Sequence, residues 1–157
     1  MREYSLKIAE TIKQFLEDDD WKYDFDEENG VIYTGLKLDC KFQRVDIMFR
    51  VHNDTFTSIF TLPLKTDEEA RLKVAEFLTR ANFGMIRGGF EMDFSDGEIR
   101  FRSAHYCGSN NDLVDPDCVH EVIGLSYTII ERYGNELMAV MMGFMEPEEA
   151  AEKADNK

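Results

Sequence analysis

The chain has 157 residues, 43% hydrophobic and 12% aromatic, enough for the core of one domain. Its 18 Lys and Arg face 32 Asp and Glu, a formal net charge of −14. Such a surface repels phosphate backbones and anionic headgroups, which excludes nucleic acid and membrane surfaces as expected partners, and no basic run in the sequence offsets it.

No apolar run approaches the roughly 20 residues that span a bilayer. The start, Met1-Arg2-Glu3-Tyr4, passes directly into an amphipathic pattern and does not read as a signal peptide. Cys40, Cys107 and Cys118 are odd in number and widely spaced. They are expected to be reduced thiols of a cytoplasmic protein.

The first helix is expected over residues 4–17, with Ile8, Ala9, Ile12, Phe15 and Leu16 on one stripe. The acidic run 17–20 ends it, because negative charge is unfavourable at a helix C-terminus. Asn29-Gly30 predicts a two-residue hairpin turn pairing 21–28 with 31–38, which sets Phe25 opposite Thr34. A second hairpin is expected over 44–52 and 55–62. It places Val51 against Phe56 and Ile47 against Phe60 on an apolar face, with Met48 and Ile59 on the wetter face.

Thr66-Asp67-Glu68-Glu69 has the form of a capping box opening a second helix, which the Asn82-Phe83-Gly84 stretch ends. Its apolar side holds Ala70, Val74, Phe77, Leu78 and Ala81, and Leu72 points elsewhere. Asp96-Gly97 predicts a third two-residue turn, with Phe94 facing Ile99, Met92 facing Phe101, Asp93 facing Arg100 and Glu91 facing Arg102. Asp115-Pro116 begins a third helical region as cap and first residue. Its stripe runs from Val119 to Phe144, and the glycines at 124, 134 and 143 leave open one bent helix or two. Residues 147–157 are expected to be a polar, partly disordered tail beyond a single domain spanning 1–146.

The order α-ββ-ββ-α-ββ-α predicts an α+β two-layer sandwich, an antiparallel twisted sheet of three hairpins covered by helices. The segment Arg80-Ala81-Asn82-Phe83-Gly84, followed by Gly89-Phe90-Glu91-Met92-Asp93-Phe94-Ser95-Asp96-Gly97-Glu98-Ile99-Arg100-Phe101-Arg102, resembles the signature of the bacterial YbjN family. Members of that family are described as sensory transduction regulators. The resemblance implies a fold similar to type III secretion chaperones, small acidic proteins, often dimers, that bind extended segments of clients. It implies no catalytic residue and no cofactor.

Cys and His are zinc ligands, and His105-x-Cys107 with Cys118-x-His120 is the one metal-like set. Residues two apart on a strand share a face, but two apart on a helix diverge by about 200°. Unrelated strand-end and helix-start residues are the simpler account, so no metal is expected. A small metal- or ligand-binding module using the Cys107 to His120 region is the alternative function. Asp24-x-Asp26-x-Glu28 lacks the glycine and the glutamate of a calcium loop, having Asn29 and Gly35 there. The glycines at 84, 88 and 89 lack the Gly-Lys-Ser/Thr of a phosphate loop. No catalytic set emerges, and no enzyme is expected.

Met138, Met141, Met142, Phe144 and Met145 crowd the end of the last stripe. Met138 and Met141 suit the core. Leu72, Met142, Phe144 and Met145 are the candidate protein-binding residues, because methionine adapts to varied surfaces and these side chains fall off or beyond the stripes. The expected function is a non-catalytic regulator or chaperone-like adaptor that buries an apolar patch against a protein client or in a homodimer.

Overall fold

The computed structural model describes residues 2–157. Its elements are α1 (Leu6–Asp18), β1 (Asp24–Asp26), β2 (Val31–Lys37), β3 (Arg44–Val51), β4 (Thr55–Thr61), α2 (Arg71–Asn82), β5 (Gly89–Met92), β6 (Ile99–Tyr106), α3 (Pro116–Met141) and α4 (Pro147–Asp155). All strands join one antiparallel sheet in the order β1-β2-β3-β4-β6-β5. The α+β fold is thus as the sequence predicts, with one helix more.

Alternation along the strands puts every large apolar side chain of β3 but Met48 on the helix side: Val45, Ile47, Phe49 and Val51 are all buried. Cross-strand register then lines up Ile47, Phe60, Phe101 and Phe90 from four adjacent strands in one buried row. Where two strands meet mid-core, Ser58 and Ser103 share a hydroxyl hydrogen bond of 2.9 Å, which satisfies both buried polar groups.

The second hairpin has the predicted register, Val51 with Phe56, Ile47 with Phe60 and Met48 with Ile59. The other two are offset by two residues. Phe25 pairs with Ile32 rather than Thr34, Met92 with Ile99, and Glu91 with Arg100. A two-residue offset preserves faces, so the layering survives. Both loops share one construction that a two-residue turn lacks. The Gly30 N–H donates to the Asp26 carbonyl (2.9 Å) and the Gly97 N–H to the Asp93 carbonyl (2.7 Å), each across a four-residue span. The Asp side chains then accept from the loop backbone, at Asn29 and at Ser95. Asn29 and Asp96 therefore keep negative φ, and the glycine alone is left-handed.

The capping box does not form. Thr66 is buried with its hydroxyl unpartnered, and a short 3-10 turn at Glu68–Ala70 precedes α2. The Thr66 N–H goes instead to the Gly97 carbonyl at 2.8 Å, which docks the third hairpin under the helix and turns Thr66 away from capping.

Helix α3 runs unbroken through Gly124 and Gly134, capped by the Asp115 carboxylate on the Cys118 N–H (2.9 Å). Gly134 is a contact, not a break. A Cβ there would stand 2.8 Å from the Cys40 sulfur, because the β2–β3 loop lies directly on the helix. Glu131 accepts from the N–H groups of Asp39 and Cys40, and Asn135 from that of Lys41.

The tail expected at residues 147–157 is instead helical through Asp155 and packed. Ala150, Ala151 and Ala154 are buried against α2 and α3. Tyr133 donates to Asp155, and the Lys157 ammonium meets the buried Glu136 carboxylate. Small alanines let three helices approach closely, and their low apolar bulk is why the segment reads as polar from sequence.

Candidate functional site

The thiol and imidazole set comes first, as the one cluster with metal-like chemistry. The fold gives each member a separate structural task. His105 stacks on Phe56 at 5.4 Å between centroids and meets the Leu113 carbonyl at 3.1 Å. His120 lies against Phe15 of α1. All three cysteines are free and buried. Burial, and then the charge of the nearby Cys118 sulfur, push the Cys107 thiol up to about 11. Burial raises Cys40 and Cys118 in the same direction. Among the described residues, no three His, Cys, Asp or Glu side chains are arranged to hold a metal ion. These thiols are poor nucleophiles. At pH 8 a disulfide reagent is expected to leave all three unreacted in the native protein and to modify all three in denaturant. One fast native thiol would contradict this.

Apolar side chains left in solvent are more informative. Leu72 is 79% exposed, Phe144 84% and Met142 52%, whereas Met145 is half-buried and packs on the core. Met145 thus belongs to the interior more than to a surface. Polar bonds tie the others to one end of the helical layer. Arg71, before Leu72, donates to the Phe94 carbonyl at 3.0 Å, and Lys73, after it, pairs with Glu146 at 2.8 Å. Phe94 itself is 54% exposed.

The other end of α2 holds two residues the sequence reading passed over. Phe83 is 92% exposed and Ile86 99%. They sit on the loop between Asn82 and β5, where Gly84 and Gly88 are both left-handed. The available signal was a pair of apolar residues between glycines, outside any periodic element.

Asn82 anchors that loop. Its side chain accepts from the Phe90 N–H (2.7 Å) and donates to the Phe90 carbonyl (2.8 Å), occupying the free edge of β5 as a neighbouring strand would. Asn82→Ala leaves both groups unpaired and is expected to lower stability by about 2 kcal/mol, read from urea unfolding. Loss of under half that would mean water replaces the amide. Beside it, Glu91 pairs with both Arg100 and Arg102 (3.2 Å to the latter). The motif residues Asn82, Glu91, Gly97 and Arg100 thus hold α2 against the third hairpin, a structural role.

Comparison with known proteins fits this geometry. The family model YbjN, described as "Putative bacterial sensory transduction regulator", matches residues 9–138. The chain belongs to the YbjN family. The match covers α1 through most of α3 and stops short of α4, so the docked C-terminal helix lies outside what the family model describes. The crystal structure of YbjN from E. coli, described as "a putative transcription regulator", is similar with a TM-score of 0.56 and 14% identity, covering 85% of this chain and 89% of that one. At that identity the likeness is one of fold. Among curated proteins none matches. Among the described residues, no helix of this YbjN-family chain is long and apolar enough to cross a membrane.

Proposed function

We propose that this chain is a non-catalytic regulator that works by burying the apolar end of its helical layer against a protein partner. The observation that carries the reading is the joint exposure of Leu72 and Phe144, at 79% and 84%, on a well-packed molecule. Exposed side chains of this size gain about 1.5–3 kcal/mol each when a partner buries them. The acidic surroundings, with Glu146 and Glu148 close by, favour a partner with basic flanks. The family description supports a regulatory role, and the buried, separated thiols and imidazoles offer no catalytic set. The E. coli relative is described as a regulator of transcription. With a net charge of −14, any such effect of this chain would run through protein contacts and not through grasping DNA.

A photoreactive residue at position 144 tests the proposal in native cells. It is expected to yield one dominant crosslinked protein, either a client or a second copy of the chain. Leu72→Ser with Phe144→Ser is expected to change stability by less than about 0.5 kcal/mol, since both positions are exposed, and to abolish that crosslinked partner's copurification. A chain that crosslinks to nothing at 144 and stays monomeric at all concentrations would refute it.

A further inference from the structure

We infer that the outer face of the sheet, opposite the helices, is a docking surface for a short acidic, amphipathic protein segment. Strand alternation brings Lys37, Arg44, Arg50, Arg100 and Arg102 onto that face, a basic patch assembled from three separate strands. Arg100 and Arg102 are held by Glu91. Lys37, Arg44 and Arg50 have no carboxylate within 4.0 Å among the described residues. In a chain with 32 acids and 18 Lys and Arg, three free cations on one face mark a place where the protein's own acids are held back.

The apolar part lies between these cations. Register aligns Tyr33, Met48 and Ile59 across three strands, and a shallow hollow of about 430 Å³ opens over them, bordered by Asp46, Thr61 and Arg100. Tyr33 is 46% exposed. Strand spacing makes the apolar row about 10 Å wide, and Arg44 and Arg50 stand about 20 Å apart along β3, one toward each end. A segment with one or two large apolar side chains flanked on both sides by Asp or Glu matches that layout.

Charge decides between occupants. A basic segment would meet the three free cations. A second copy packed face to face about a two-fold axis would set the same cations against their own images. A nucleic acid duplex reaches beyond the patch to the acids on β1, Asp24 and Asp26, and to the rest of a −14 chain. The distant acids repel an acidic peptide too. At physiological salt, however, screening acts within about 8 Å, so cations in contact outweigh acids across the molecule. This surface is separate from the one at Leu72 and Phe144 and rests on different observations.

The test is a titration of the isotope-labelled full chain at about 0.15 M salt, the ionic strength at which that screening length holds. The probes are a peptide of about twelve residues carrying two leucines between aspartate pairs, its lysine-for-aspartate counterpart, and a short DNA duplex. The aspartate peptide is expected to shift backbone amides of the strand residues around Met48 and Ile59 and to bind at least tenfold tighter than the lysine peptide. Arg44→Glu with Arg50→Glu is expected to weaken it at least tenfold, and the milder Arg44→Gln with Arg50→Gln pair by an intermediate factor, with native amide spectra in both. Leu72→Ser with Phe144→Ser leaves this binding unchanged. The proposal is overturned if no aspartate peptide binds, if the shifts fall on the helices, or if the lysine peptide or duplex binds as well. It is equally overturned if the peptide-free protein self-associates through the same residues.

Discussion

Gly97→Val is expected to lower stability by about 3–5 kcal/mol, among the largest effects of a single substitution in this chain. A Cβ at Gly97 would stand 2.1 Å from the Thr66 carbonyl oxygen and 2.8 Å from the Thr66 nitrogen, both main-chain atoms that no rotamer change can move. Its φ of +79° adds the left-handed penalty of a β-branched side chain. The hairpin loop is also tied down on both sides, by the Thr66 N–H on the Gly97 carbonyl and by Lys65 on Asp96 at 2.7 Å. Forcing that junction open moves Phe94 and Arg71, and with them the exposed Leu72 end of the helical layer. The measurement is the urea midpoint, with Gly97→Ala as a smaller step in the same direction. A valine variant within 1 kcal/mol of the parent would show that the junction yields freely.

Phe60→Ala is expected to cost about 3–5 kcal/mol, a fall in melting temperature of roughly 10 °C for a domain of this size. Phe60 is fully buried at the centre of the sheet, between Ile47 and Phe101 in the row that crosses four strands. Neighbours on both flanking strands are fixed by backbone ladders, so the void cannot close by collapse. Phe60→Leu keeps most of the volume and is expected to lose no more than about 1.5 kcal/mol. Equal losses for both variants would mean that ring shape, and not volume, governs the site.

The two offset hairpins show where local reading stops. Asn29-Gly30 and Asp96-Gly97 each specify a turn containing a left-handed glycine, and the structure has one at both places. What shifts the pairing is an Asp three residues ahead of the Asn or Asp, whose carbonyl and carboxylate close a wider loop. The pairing Asp93–Arg100 and Glu91–Arg102 looked self-consistent because opposite charges recur every second residue, so a shift of two still finds partners: Glu91 takes both arginines. The capping box failed for a comparable reason, a competing bond from Thr66 to another element. In the candidate surface, Leu72, Met142 and Phe144 stand out of the stripes as expected, but Met145 turns inward.

From its sequence alone this protein's class is settled: hydrophobic alternation of period two and stripes of period 3.6 fix which side chains face inward, and the α+β layering follows from that. Tertiary structure alone decided the exact strand pairing, the close approach at Gly134, the docking of α4 and the gathering of cations on the outer sheet. Each of these depends on atoms far apart in the chain. Inward or outward direction is a property of neighbouring residues, whereas which surface meets which is chosen only when whole elements pack.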